Sequence, residues 1–265
     1  MNSATMPKVT ITDILAQLEV IIAESEKLNN RVGYFAALYY KVTARVKDGI
    51  DKGKFQNGKR MERLDVIFAS RYLDALAARR SGQPLTESWR LAFEASKQSG
   101  LLVLQHLLLG MSAHINLDLG IAAVEAADGD LKSLHNDFDE INTIISALTY
   151  QVLNDIDRIS PLLSLLGLHS GDSASILIQF SIDNARDGAW CFAEELATKK
   201  GADYEACIVK RDQTISQLGK GLIQTTGFMR LTVWVIHLFE WKNPGKIIKV
   251  LHEAVKARIV LNKPA

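Results

Sequence analysis

The sequence predicts an all-α protein: a single compact domain of about nine or ten helices around a buried central helix. Three observations predict this. Apolar residues recur at three- and four-residue steps through most of the chain. Only five prolines interrupt 265 residues. The one run rich in β-branched and aromatic residues, FMRLTVWVIHLFEW, has no second strand to pair with and is assigned to a buried helix. No linker, low-complexity run or long charge block divides the chain. One domain is therefore expected over residues 1–265, with residues 1–9 a disordered tail.

Taken in order, the first helix spans residues 10–29. It opens with the cap Thr10-x-x-Asp13 and continues with Leu15, Leu18, Ile22 and Leu28. The second spans residues 31–50, with Tyr34, Phe35, Leu38, Tyr39 and Val42 on one face, and stops near Gly49 and Gly53. FQNGK (55–59) reads as a turn, residues 60–80 as a helix, and SGQP (81–84) as a break. Thr86 caps a short helix bearing Trp89 and Phe93, and the central segment follows to about residue 127. After the DGD break (128–130) a long helix runs to Ile159, ended by Ser160-Pro161. Ser173 or Ser175 caps the next helix, which reaches Ala197. Helices then follow GAD (201–203), occupy the FMRLTVWVIHLFEW run, and follow Pro244.

The composition restricts the partner. Hydrophobic residues make up 48% and charged residues 23%, as in a globular protein, and the net charge is only +1 with both signs mixed throughout. That balance argues against nucleic acid or an anionic membrane as the main partner; a small molecule is one partner it permits. Cys191 and Cys207 form no CxxC and read as reduced thiols of a cytoplasmic protein. The first residues lack the basic start and apolar core of a signal peptide. The most apolar stretch, residues 101–109, meets His114, Asn116 and Asp118 too soon to be expected to span a bilayer.

One stretch reads as chemistry: QHLLLGMSAHINLD, residues 105–118. At about 100° per residue, His106, Gly110, His114 and Asp118 fall on one flank of a helix. Gly110 lets another helix approach closely. Buried polar groups need partners, and a buried carboxylate needs a cation, a metal or a proton. Elsewhere there is no G-x-S-x-G, no P-loop, no G-x-G-x-x-G, and no histidine near either cysteine in sequence.

QHLLLGMSAHINLDLG, together with NRVGYFAALY (30–39), MERLDVIFASRYLDAL (61–76) and RDGAW (186–190), resembles a family of uncharacterised bacterial and fungal proteins known only as a domain of unknown function. That resemblance implies an all-helical domain and no assigned activity. A shorter one concerns Gly110-x-x-x-His114-x-x-x-Asp118 followed by His135-x-x-x-Asp139, which is similar to the metal-binding helices of zinc-dependent phospholipase C and the related single-strand nucleases. Asp139 stands where that family has Glu, the histidine between its motifs is missing, and so is its N-terminal tryptophan. The resemblance therefore implies a one- or two-metal site at most.

Three readings of these residues stay open, the third being an interaction or structural protein in which the central polar residues only fix helix register. In the first, two helices present His114 with Asp118 and His135 with Asp139 to one ion, zinc or another divalent transition metal. Gln105, His106, Asn116, Arg71 and Arg186 then serve as supporting or substrate contacts, and the protein is a metal-dependent hydrolase of a small phosphorylated or esterified substrate. In the second, the His/Asp residues form a structural network, and the protein binds a small molecule or lipid without turning it over, in an apolar pocket lined by His106, His114 and Asn116. His135 and Asp139 sit at the edge of their helix's apolar face, which favours a solvated pair there. Arg31, Arg71 and Arg186 each lie beside apolar residues, as structural ion pairs or as clamps for a carboxylate or phosphate. Arg71 has Asp74 within reach, and Arg186 has Asp183. Asp183, Asp187, Trp190 and Glu194 share one helix face. They superficially resemble the aspartate-rich diphosphate motif of helical prenyl-transferring enzymes, and read more simply as a solvated acidic face.

Overall fold

The computed structural model describes residues 9–168 and 182–261. The Ser173 or Ser175 cap and nearly all of the expected tail lie outside them. The described residues form eleven α-helical segments: α1 (Ile11–Lys27), α2 (Val32–Asp51), α3 (Gly58–Ser81), α4 (Glu87–Ala95), α5 (Val103–Ala113), α6 (Leu119–Ala127), α7 (Leu131–Ile159), α8 (Ile182–Ala197), α9 (Ala202–Ile223), α10 (Gly227–Phe239) and α11 (Pro244–Leu261). A π-helical turn, His114–Asp118, joins α5 to α6, so the two make one rod, Val103–Ala127. The fold is all-α, and the described residues contain no strand.

The rod is the buried centre that the sequence predicts. It is long and apolar enough to cross a bilayer, yet 78% of its most apolar window is buried inside the protein. It packs against α2, α3, α4, α8 and α9, while α1, α2 and α11 form a layer of their own. Two glycines allow this closeness. A Cβ on Gly110 would lie 2.6 Å from the Phe35 ring of α2, and one on Gly120 would lie 2.6 Å from Phe192 and 2.9 Å from the Ala189 carbonyl of α8.

Local signals end several helices where the sequence places them. Thr10 and Asp13 form a reciprocal capping box at α1. Asp130 caps α7 and Ser160 ends it. Other helix starts are capped by carboxylates far away in sequence. Asp137 of α7 accepts from the backbone N–H groups of Gln56 (2.6 Å) and Asn57 (3.0 Å) ahead of α3. Asp212 of α9 accepts from those of Glu87 (2.6 Å) and Ser88 (2.9 Å). Glu240 accepts from Val103 at 3.1 Å. Thr86 therefore does not cap α4 through its side chain as expected; the Asp212 carboxylate, a stronger acceptor, takes the first N–H groups instead.

Candidate functional site

The π-turn places the polar flank of the rod. Leu119 N–H bonds back five residues to the His114 carbonyl, which widens the helix at His-Ile-Asn-Leu-Asp. Arg211 Nε donates to the Asn116 carbonyl at 3.0 Å, an outside donor that fits a locally disrupted ladder.

Inside this turn Asp118 is 1% exposed and holds three donors. Its Oδ1 accepts from Arg71 Nε at 2.9 Å, and its Oδ2 accepts from Trp89 Nε1 at 2.8 Å and lies 3.1 Å from His114 Nδ1. Arg71 is thus the cation the buried carboxylate needs, and it bonds Asp118 rather than Asp74. The His114 ring stacks on Phe68 with centroids 3.6 Å apart, and Tyr39 and Phe35 meet it edge-on. Burial pushes the His114 imidazole below its ordinary pKa, against the pull of Asp118, so the ring is held neutral. Its Nδ1–H then donates to Asp118, and its Nε2 meets no partner among the described residues.

His135 and Asp139 lie elsewhere. They pair with each other at 3.0 Å on the surface, 47% and 54% exposed, and the His135 ring stands edge-on to Trp190 at 4.6 Å. The structure does not bring this pair to His114 and Asp118. Among the described residues no three His, Cys, Asp or Glu side chains converge in a way that could hold an ion. The reason is the period of α7: Phe138 and Ile141 take its inward face, which leaves positions 135 and 139 outside.

The remaining predicted residues separate. Gln105 is an internal strut, accepting from Leu102 N–H at 2.9 Å and donating to the Leu222 carbonyl at 2.7 Å. Asn116 donates to Ser112 Oγ at 3.3 Å. Arg186 donates to the Phe138 carbonyl at 2.7 Å and stacks over that ring. Its supposed pairing with Asp183 falls on a side chain outside the described residues. On the same helix Asp187 is exposed, and Glu194 accepts from Trp190 Nε1 at 3.1 Å.

His106 has a different setting. It lies in the wall of a cavity of about 200 Å³ with Arg31, Tyr34, His237, Trp241 and Lys242. The ring is 8% exposed; the Gln98 backbone lies beside it and favours its charged form, but neither nitrogen makes a well-formed hydrogen bond. Burial and the Arg31 charge push its pKa down to about 4. Burial, Lys242 and Arg31 likewise lower His237. Glu240 also lines the cavity, but its carboxylate is engaged by the Ser160 hydroxyl and Val103 N–H. No ion pair joins Arg31 to a carboxylate among the described residues. A water-sized void of about 20 Å³ shares Arg31 and His106 with this cavity and reaches Phe35, Tyr72 and Trp89, the aromatic groups around His114. Sequence reading singled out His106 and Arg31 separately. It missed His237, Trp241 and Lys242 as wall residues because nothing local ties residue 106 to residue 240.

Asp65 was also missed. Its carboxyl is buried, and Oδ2 has no hydrogen-bond partner. Burial, with Glu62 adding to it, raises its pKa to about 8, so it is mostly protonated at neutral pH.

The all-helical chain belongs to a family of unknown function, DUF5995, whose model matches residues 11–225. No curated protein and no solved structure matches it. Membership confirms the family resemblance and brings no activity with it. The matched span contains Arg31, His106 and the Asp118 network; the cavity wall from His237 to Lys242 lies beyond it.

Proposed function

We propose that the protein binds a small organic anion, a carboxylate or phosphate with an apolar or aromatic body, in the cavity between Arg31 and Lys242, and does not turn it over. The observation that carries this reading is His106: a buried imidazole with the Gln98 backbone beside it but no well-formed hydrogen bond, in the wall of a cavity that also has two cations. Tyr34 and Trp241 supply apolar walls, and Arg31 and Lys242 supply the charge. A volume of about 200 Å³ restricts the ligand to a small one. The hydrolase reading would need His135 and Asp139 to travel from the surface into the core.

Benzoate and phenyl phosphate are the probes, with binding followed by calorimetry and by thermal shift. At least one should bind and stabilise the wild-type protein, and Arg31→Gln or Lys242→Gln should weaken it by about tenfold or more, the loss of one charge-assisted contact. Benzoate binding should tighten as the pH falls from about 8 to about 5.5, a range in which benzoate stays ionised. The sign follows from His106. In the free protein its pKa is about 4, so it is neutral; an anion beside it raises that value, and binding takes up a proton. Failure of both probes at millimolar concentration, or equal affinity in the charge variants, would overturn the proposal.

A further inference from the structure

The α10 surface carries a second feature, independent of the cavity reading. One face of α10 packs inward through Met229, Thr232, Val233 and Ile236. The opposite face presents Leu231, Trp234, Leu238 and Phe239 to solvent, with Trp241 just past its end; these five are 37–62% exposed. An exposed apolar face this continuous marks an interaction surface. From residue 227 to residue 248 the acidic residue is Glu240, buried and engaged by Ser160 and Val103, while the cations Arg230, Lys242 and Lys246 are exposed.

We infer that α10 docks this protein on the surface of an anionic lipid bilayer. Bulky aromatic and leucine side chains on one face, bordered by exposed cations with no exposed acid, match the interfacial helices that seat their apolar face at the headgroup boundary. Charge separates this occupant from a second copy of the chain: two copies of this face would set Arg230, Lys242 and Lys246 against the same cations, whereas an anionic bilayer pairs with them. A bilayer accepts a single helix, and the small overall charge of +1 conceals the local positive balance here. Trp241 and Lys242 also border the cavity, which therefore lies beside the docked side.

Co-sedimentation of the full chain with vesicles tests this directly. Binding is expected to phosphatidylglycerol-rich vesicles, about tenfold stronger than to phosphatidylcholine vesicles, and weaker at high salt. A tryptophan emission blue shift should accompany it. The double substitution W234E/L238E should abolish binding while the unfolding midpoint and benzoate affinity hold. Arg31→Gln should keep vesicle binding, so that failure of the cavity reading and failure of this one remain distinguishable. Wild-type protein that ignores anionic vesicles overturns the inference. So does sedimentation equilibrium showing a dimer that W234E/L238E dissociates, because the face is then covered by a second copy.

Discussion

Replacing Asp118 with alanine is expected to destabilise the protein by about 3–5 kcal/mol, the cost of stripping a buried charged group of its partner. The size follows from the number of groups left behind. Arg71 loses its carboxylate, and the Trp89 indole N–H and the His114 Nδ1–H lose their acceptor, with Trp89 and His114 almost wholly buried. Asp118→Asn keeps one acceptor oxygen but sets an amide nitrogen against donors, so it should also destabilise, by less. Denaturant unfolding measures both. A loss below about 1 kcal/mol for the alanine variant would mean that these contacts do not hold the rod in place.

Asp65→Asn should do the opposite. The Asp65 carboxyl pKa is raised from its ordinary value to about 8 in the folded protein. Between those values the folded state holds a proton that the unfolded state has released. The contribution of Asp65 to stability is therefore fully present below about pH 4 and drains away as the pH rises toward 8. A neutral amide of the same shape removes that dependence. Its gain is expected to be nil at acid pH and to reach up to about 4 kcal/mol at pH 7. Unfolding midpoints of both proteins across this range check it; parallel curves would show that the carboxyl is not held protonated.

These residues also show how far the sequence could be read. Helix ends written locally were legible: Thr10 with Asp13, the DGD break, the stop at Ser160-Pro161, and the break after α3, where Gly82 takes φ +70°. So was the central helix, because its apolar run is longer than a surface helix can tolerate. Caps supplied from elsewhere were not legible. The donors bonded by Asp137, Asp212 and Glu240 lie 81, 125 and 137 residues away, and each carboxylate reads locally as one more charge on a helix. The buried Lys41–Asp155 pair, 2.7 Å apart, is hidden in the same way.

The candidate site divides along this line. His114 with Asp118 was visible as an i,i+4 pair in an apolar run, and the need of Asp118 for a cation was clear from burial alone. Which cation it was depended on how α3 packs. His135 with Asp139 has the same spacing and the opposite setting, because spacing fixes which residues share a face but not whether that face is buried. The cavity has no local signature, since its walls come from the start of α2, the first turn of α5 and the residues around the end of α10.

Histidine-selective NMR during titration tests the central claim most directly: that the Asp118 network is structural and the ligand site lies at His106. Benzoate should shift the His106 and His237 ring signals in a saturable way and leave those of His114 and His135 unmoved. Zinc should not perturb His114 and His135 together at stoichiometric concentration. A joint stoichiometric response of those two to zinc, with His106 silent to benzoate, would contradict the account and return the function to a metal centre.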